Sequence, residues 1–286
     1  MTEVNTKTSI RTINFDNLNI GGENNFNVAP VFALEINVFD FESSSHIVKD
    51  YFNKETDLKK IIQKAQKTNC DILALKFNLG EDNIEQDVKE SVKILKKLLP
   101  SITKPLMVIG AGNKEVDMEL LPELIKILDR ESIISYIEEN TYEKILPSIV
   151  KGGHIAVIRT PIDINLAKEM NILTTDKGQN PNKILIDTDM GGLGYGLEYG
   201  YSIIERIKLA AFDGDEMLNM PLVAFVGEEA LKAKETKSDK LCESYGDFKL
   251  RSKMFEITTA SSVITAGANV IVVENPETIS LLKQLI

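Results

Sequence analysis

The sequence predicts a (β/α)8 TIM barrel, and three features of the chain lead to this fold class. Short and almost continuously apolar runs recur eight times, as is typical of parallel strands that are buried on both faces. Amphipathic helical patterns lie between these runs. The alternation occupies about 250 residues, the usual size of such a barrel. An open doubly wound sheet is the main alternative, but the count of eight and the even spacing favour the barrel.

The predicted strands are rich in β-branched and aliphatic residues. In chain order they are Pro30–Phe39, Asp71–Phe77, Pro105–Gly110, Ser132–Ile137, His154–Arg159, Lys183–Asp187, Pro221–Gly227 and Asn269–Glu274. Residues 1–28 precede the first strand, and we expect them to form an N-terminal extension with a hairpin over the barrel floor. Residues 29–286 are then expected to form the barrel domain.

The helices between the strands are predicted from apolar residues at helical spacing. Val88 and Leu95, for example, lie on one face of the helix that follows the second strand. The helix after the fifth strand is predicted to begin with Thr160 as its N-cap. Pro161 would then occupy the first helical position, and Asp163 would act as a capping carboxylate.

The charge and composition of the chain limit the classes of function. A formal net charge of −10 argues against nucleic acid or an anionic membrane as a partner, because both require a basic surface. The first residues lack the apolar core of a signal peptide, and no apolar run reaches the ~18 residues of a membrane span. The separated Cys70 and Cys242 indicate no disulfide framework, and the isolated His46 and His154 offer no metal-binding spacing. We therefore expect a cytoplasmic protein.

A barrel of this kind binds its ligands at the C-terminal ends of its strands, so the residues there are the first site candidates. Asp187 and Asp189 could bind a metal, act as acid and base, or hold a loop by accepting backbone N–H groups. Lys76 is a candidate phosphate anchor. Glu35, inside the first strand, is expected to form a structural charge pair. Further candidates at strand ends are Asn78, Gly110, Gly112, Arg159, Gly227, Glu228 and Glu274.

A glycine-rich loop follows the sixth predicted strand. It consists of Gly191, Gly192, Leu193, Gly194, Tyr195 and Gly196. The loop lacks the lysine and the Ser/Thr of a P-loop, and its glycine spacing is not that of a dinucleotide-binding fingerprint. Glycines permit positive φ and close approach of the backbone to a bulky group. The loop is therefore either a tight irregular connection or a surface on which a large, flat ligand can lie.

The sequence resembles one family along nearly the whole chain, and the resemblance is specific at this loop. Residues 191–235 are similar to the small (delta) subunit of the corrinoid iron-sulfur protein, which belongs to the acetyl-CoA decarbonylase/synthase system of methanogens and acetogenic bacteria. The similarity rests on Glu205-Arg206, Gly214-Asp215, Met217-Leu218, Met220-Pro221, Gly227 and Glu229-Ala230. Flanking matches are Arg159, Pro161, Asp163 and Asn165, then Gly110, Gly112 and Asp117, and finally Gly21, Gly22 and Glu23. As a departure, Glu274-Asn275-Pro276 replaces the family's Arg-His-Pro.

The resemblance implies a barrel that forms a heterodimer with a large corrinoid iron-sulfur protein subunit. The large subunit would carry a [4Fe-4S] cluster, and the corrinoid (cobamide) would lie between the subunits, against the barrel mouth. Its cobalt would accept a methyl group from methyl-tetrahydropterin and pass it to acetyl-CoA synthase in the reductive acetyl-CoA pathway. A methyltransferase and acetyl-CoA synthase would be transient partners.

The resemblance also implies that this chain holds the cofactor and has no nucleophile of its own. The expected cofactor-binding residues are Lys76, Asn78, Gly110, Gly112, Arg159, Asp187, Asp189, Gly191, Gly192, Leu193, Gly194, Tyr195, Gly196 and Gly227. The alternative is an enzyme, because related barrels bind methyl-tetrahydropterins and methylate a separate corrinoid protein. In that case, Asn78, Asn165 and Asp187 would hold the pterin ring.

Overall fold

The structure is a computed structural model that describes residues 9–24, 29–190 and 196–286. An antiparallel hairpin comes first, formed by β1 (Thr12–Phe15) and β2 (Leu18–Gly21). Eight parallel strands follow: β3 (Val31–Asn37), β4 (Ile72–Lys76), β5 (Leu106–Ile109), β6 (Ile133–Ile137), β7 (Ile155–Arg159), β8 (Ile184–Asp187), β9 (Leu222–Phe225) and β10 (Val270–Val273). Each lies within one of the predicted strand segments.

Helices connect the strands and surround the barrel. They are α1 (His46–Tyr51), α2 (Leu58–Ala65), α3 (Ile84–Leu98), α4 (Lys114–Ile125), α5 (Tyr142–Gly152), α6 (Ile164–Asp176), α7 (Leu197–Phe212), α8 (Val226–Ala230), α9 (Lys234–Lys237), α10 (Phe248–Ala266) and α11 (Pro276–Leu285). Within the described ranges, none of these helices combines the length and the apolar character that crossing a membrane requires.

The strands form a closed barrel in the order β10-β3-β4-β5-β6-β7-β8-β9. Closure is made by β10, which pairs with β3 from Val270↔Val31 to Val273↔Leu34 and with β9 on its other side. Every pairing within the barrel is parallel, so all eight strands end at the same face. The predicted (β/α)8 TIM barrel is confirmed, and we call the face at the C-terminal strand ends the barrel mouth.

The apolar core has two layers, which follow from the two-residue period of the strands. On β3, Phe32, Leu34 and Ile36 pack outward against the helices. Val31 and Ala33 point into the barrel interior and pack with residues of the other strands. Because both faces of each strand are buried, the strands read as continuous apolar runs rather than as alternating ones.

The hairpin closes the barrel floor. Ile13, Phe15 and Ile20 belong to the same buried cluster as the interior residues of the barrel strands. Beyond the hairpin, Glu23 accepts hydrogen bonds from the buried Lys208 ammonium of α7 and from Asn269 Nδ2 at 2.7 Å. The Gly-Gly-Glu segment, residues 21–23, therefore attaches the N-terminal hairpin to the floor of the barrel.

The predicted start of the helix after β7 is wrong by three residues. α6 begins at Ile164, and the carboxylate of Asp163 is its N-cap, accepting from the backbone N–H groups of residues 165 and 166. The backbone N–H groups of Thr160 and Ile162 instead donate to the carbonyl oxygens of residues 187 and 188 at 2.9 Å. These bonds prolong the β7–β8 contact beyond the strand ends, so the helix cannot begin at Thr160.

Candidate functional site

Charged side chains occupy the mouth end of the barrel interior, above the apolar layers. Val31 and Ala33 of β3 point inward, and the strand period therefore places Glu35 on the same side, one layer closer to the mouth. The same alternation brings in Lys76 of β4, Arg159 of β7, Asp187 of β8 and Glu274 just after β10. Together with Tyr136 of β6 and Glu228 of α8, these residues form what we call the mouth network.

Arg159 lies at one centre of the network. Its Nε donates to Asp187 Oδ2 at 2.6 Å, and its second terminal nitrogen lies 3.5 Å from Glu228 Oε2. The guanidinium stacks on the ring of Tyr136, 3.4 Å from the ring centroid, and the Tyr136 hydroxyl donates to Glu228. Arginine suits this position because its planar group can stack and donate several hydrogen bonds at once.

Lys76 lies at a second centre. Its Nζ is 3.1 Å from Glu228 Oε1 and 3.7 Å from Glu35 Oε1. Lys232, one turn after Glu228, donates to the same Glu228 oxygen at 2.8 Å. Glu228 thus accepts contacts from three cations and one hydroxyl, and it joins the two halves of the network.

The protonation of the two central carboxylates follows from burial and from these cations. Burial alone would raise the pKa of Glu228, but the positive charges of Lys76, Arg159 and Lys232 hold that pKa well below its usual range. Burial raises the pKa of Asp187 to about 6, against the opposing charge of Arg159. Both carboxylates are therefore mainly ionised at neutral pH, and the cations that contact them compensate their charge.

A second acidic pair lies beside Glu35, at the end of β10. Burial, with Glu35 as the largest charge contribution, raises the pKa of Glu274 to about 8. Burial also raises the pKa of Glu256, on α10, to about 7. Glu256 accepts the backbone N–H of Glu274 at 2.8 Å and the hydroxyl of Thr278. Glu256 therefore holds the strand end in place, whereas the Glu274 side chain lines the mouth.

A cavity of about 600 Å³ opens above the network, within the usual range for a small-molecule site. We call it the mouth cavity. It is lined by Glu35, Asn37, Ser43, Ser44, Ser45, His46, Val48, Lys76, Asn78, Ala111, Glu228, Leu231, Lys232, Thr236, Lys237, Asp239, Phe248 and Glu274. The lining is polar on the barrel side, whereas Val48, Leu231 and Phe248 add apolar surface.

An apolar groove of about 580 Å³ lies beside the mouth, between the first turn of α7 and the first half of α10. Its lining includes Leu197, Tyr245, Leu250, Met254 and Phe255. Leu250 is 58% exposed and Met254 is 47% exposed, which is unusual for large apolar side chains so close together. We call this surface the rim groove.

The predicted site residues divide into groups. Lys76, Arg159 and Asp187 meet in the mouth network, and Asn78 lines the mouth cavity. Asp189 lies next to the network, where its backbone N–H donates to Asp187 Oδ1 at 2.9 Å. The structure therefore brings together the charged candidates of three different strands.

The glycine candidates have structural explanations where they are described. A Cβ on Gly110 would lie 2.3 Å from Asp117 Oδ1, because the Asp117 carboxylate accepts the backbone N–H groups of residues 111–113. Gly112 adopts a φ of +74°. A Cβ on Gly227 would lie 2.7 Å from the backbone nitrogen of Glu274.

Most of the predicted glycine-rich loop lies outside the described residues. Gly191, Gly192, Leu193, Gly194 and Tyr195 lie outside the described residues. Gly196, with a φ of +106°, directly precedes α7.

Sequence reasoning missed Tyr136, placed Glu228 and Glu274 at strand ends without assigning them a role, and gave Glu35 only a structural role. The strand period could have placed Glu35 and Glu274 inside the mouth, because both have the parity of inward-facing residues. Tyr136 lies in the barrel interior although strict alternation from Ile133 would point it outward, because the β6–β7 register shifts between Ile134 and Ile137. Within the described ranges, no group of three or more His, Cys, Asp or Glu side chains is arranged to hold a metal ion.

Solved structures with the same architecture include dihydropteroate synthases. The enzyme from Xanthomonas albilineans with 4-aminobenzoic acid superposes with a TM-score of 0.63, at 12% identity and over 97% of both chains. The Yersinia pestis enzyme in a sulfonamide drug complex superposes with a TM-score of 0.61, at 13% identity and over 96% of this chain and 98% of that one. At these identities, the likeness concerns the fold alone.

Curated relatives identify a narrower group. The acetyl-CoA decarbonylase/synthase complex subunit delta of Methanopyrus kandleri is 28% identical over 199 residues, which are 69% of this chain and 49% of that protein. The subunit of the same name from Methanosarcina mazei is 28% identical over 268 residues, 87% of this chain and 60% of its own. The chain thus spans about half the length of the curated relatives it matches.

The sequence profile of one family covers almost the whole chain. The profile described as CO dehydrogenase/acetyl-CoA synthase delta subunit matches residues 17–276, from the hairpin turn to the first residue of α11. This range includes every residue of the mouth network. The chain therefore belongs to the CO dehydrogenase/acetyl-CoA synthase delta subunit family.

Proposed function

We propose that this chain is the corrinoid-binding scaffold subunit of a corrinoid iron-sulfur protein. It would help to carry a methyl group from methyl-tetrahydropterin to acetyl-CoA synthase. The family match over residues 17–276 carries this proposal. Because the chain spans about half of its curated relatives, membership of an acetyl-CoA decarbonylase/synthase complex is part of the proposal.

The exposed surface at the mouth fits the needs of a corrin, a broad ring with apolar methyl groups and carboxamide arms. The rim groove offers exposed apolar side chains, of which Tyr245, Leu250 and Met254 are the largest. The mouth network fills the interior with paired charges, so the ring would lie across the mouth and the groove rather than enter the barrel. Bound cobalt would supply the methyl-carrying chemistry, and this chain would position the cofactor.

The proposed partner is a large subunit that forms a heterodimer with this chain and carries the [4Fe-4S] cluster. Cys70 is buried and Cys242 lies far from it in sequence on an exposed turn, so these two residues do not form a cluster-binding set. The exposed apolar rim groove is the kind of surface that a partner protein covers. A methyltransferase and acetyl-CoA synthase would dock transiently on the loaded heterodimer.

The test is co-expression with a corrinoid iron-sulfur large subunit, followed by anoxic purification and measurement of the corrin absorption band. A Leu250→Glu variant should retain corrinoid roughly tenfold less tightly, since it places a charge on an apolar contact. The matched control is Leu285→Glu, which changes another exposed leucine, at the end of α11 and away from the mouth. The proposal is wrong if the unmodified chain captures neither corrinoid nor large subunit.

The second candidate is a pterin-binding methyltransferase-like barrel. It is favoured by the fold shared with dihydropteroate synthases, one of which was solved in complex with 7,8-dihydropteroate. Of the three candidate pterin ligands, Asn78 lines the mouth cavity, Asn165 is exposed on α6 and Asp187 is held by Arg159. Titration of the isolated chain with methyl-tetrahydropterin separates the two functions: binding on the order of 1 μM favours the enzyme.

A further inference from the structure

We propose that the mouth cavity is a binding site for a small organic cation, an ammonium or amidinium group on an apolar body, held by Glu35 and Glu274. This inference concerns the mouth cavity of the isolated chain, and its test requires neither a corrinoid nor a partner subunit. Three observations support it: a Glu35 oxygen that accepts no hydrogen bond from the described residues, nearby lysines that already contact carboxylates, and the apolar side chains that line part of the cavity.

Glu35 supplies the unused acceptor. The side chain is 4% exposed and lines the cavity, yet its Oε2 accepts no hydrogen bond from the described residues. Its other oxygen is only 3.7 Å from the Lys76 ammonium. A buried carboxyl oxygen without a donor is costly. Because Oε2 itself is buried, the Glu35 carboxyl group would rotate to meet a ligand N–H group, and that hydrogen bond would remove the cost.

The cations on the barrel side of the cavity already have carboxylate partners. Lys76 contacts Glu228 and Glu35, and Lys232 contacts Glu228 and Glu229. An anionic ligand would therefore compete with existing ion pairs, whereas a cation would meet carboxyl groups with spare acceptor capacity. At the outer edge of the cavity, the exposed Lys237 and Asp239 carry opposite charges and favour neither an anionic nor a cationic ligand.

The remaining groups around the cavity agree with a cation. Burial lowers the pKa of His46, so its imidazole stays neutral at pH 7 and adds no positive charge. Burial, Glu35 and Glu256 raise the pKa of Glu274 to about 8, so a bound cation would promote its ionisation and release a proton.

The shape and lining of the cavity select an organic cation. Val48, Leu231 and Phe248 offer apolar surface to the body of the ligand. A metal ion fits less well, because the described residues provide no cluster of three or more metal-type ligands.

The test uses three planar probes of the same shape: benzamidine, which is cationic, benzamide, which is neutral, and benzoate, which is anionic. Isothermal titration of the purified chain at pH 7 should show benzamidine binding with a Kd on the order of 1 mM, as expected for a fragment of this size. Benzamide should bind at least tenfold more weakly and benzoate not measurably. Equal binding of benzamidine and benzamide, preferential binding of benzoate, or no binding of benzamidine overturns the proposal.

Two variants locate the site. Glu35→Gln and Glu274→Gln keep the side-chain shape, and each should weaken benzamidine binding roughly tenfold. The matched control is Glu85→Gln, which removes a carboxylate from the exposed face of α3 and should leave the affinity unchanged.

Proton release provides a second readout. The binding heat of the unmodified chain should vary with the ionisation enthalpy of the buffer, whereas that of Glu274→Gln should vary less. Benzamidine binding that is unaffected in both variants would place the ligand elsewhere and refute the assignment.

Discussion

Replacing Arg159 by methionine tests whether the mouth network is a set of mutually compensated buried charges. The substitution removes the guanidinium that contacts Asp187 at 2.6 Å but keeps an apolar side chain over the Tyr136 ring. Asp187 is 1% exposed and would lose its cation, whereas Glu228 would keep Lys76 and Lys232. Removing one partner of a buried ion pair costs about 3–5 kcal/mol, so we expect the free energy of unfolding to fall by that amount at pH 7.5.

The loss of stability caused by Arg159→Met should increase with pH. Burial already raises the pKa of Asp187 to about 6 from 3.8, so its contribution to stability is most favourable below 3.8 and declines as pH rises through 6. Without Arg159 the pKa of Asp187 would rise further. The penalty should therefore be smaller at pH 5, where Asp187 is protonated in both proteins, and larger between pH 6 and 8.

Urea unfolding at pH 5 and pH 7.5 measures both effects through the free energy of unfolding. The control is Arg206→Met, on the exposed face of α7, with an expected change within about 0.5 kcal/mol. The double variant Arg159→Met/Asp187→Leu should recover most of the loss, because replacing a whole buried pair by apolar residues is often neutral. The reasoning is refuted if Arg159→Met costs no more than Arg206→Met, or if its cost is the same at both pH values.

Two further substitutions test the loops that position the mouth. Asp117→Asn should destabilise the protein by about 2 kcal/mol at pH 7, because the carboxylate accepts three backbone N–H groups of residues 111–113. Burial raises the pKa of Asp117 to about 6, so the unmodified protein should lose stability as pH rises through 6; a variant with unchanged pH dependence would contradict this. Gly227→Ala should cost about 1–3 kcal/mol in thermal unfolding, because its Cβ would lie 2.7 Å from the backbone nitrogen of Glu274. Gly80→Ala, where a Cβ meets nothing within 4 Å, should change stability little, and equal losses at both sites would show that packing is not the cause.

The fold could be predicted from the sequence because parallel strands buried on both faces leave a strong local signal. All eight observed strands lie within predicted segments, and the closing pair β10–β3 follows from their number and spacing. Three charged site residues, Lys76, Arg159 and Asp187, could be found because they stand at strand ends. The alternation of interior and exterior residues also contained the position of Glu35, although not its partners.

Local patterns failed where backbone contacts between distant segments decide the conformation. The sequence around Thr160 has the pattern of a helix start, yet its N–H donates to the carbonyl of residue 187 on the neighbouring strand. The close approach of Asp117 gives a structural reason for Gly110, and a ligand-binding role for this glycine stays a prediction. At Thr160 a tertiary contact therefore satisfies a backbone N–H group that the local pattern assigned to a helix start.

The sequence by itself determined the barrel, the strands that build it and the likeness to delta subunits, because strand period and motif order are properties of the chain. Only the tertiary structure decided how the mouth is organised. Glu228 comes from a helix after β9 and meets Lys76 of β4 and Arg159 of β7, which are far from it in sequence. Burial raises the pKa of both carboxyl groups, but three nearby cations outweigh it at Glu228 and keep that group ionised, whereas at Glu274 the neighbouring carboxyl groups add to the effect of burial and raise its pKa to about 8. Such pairings depend on distances across a closed barrel, and no local pattern of residues specifies them.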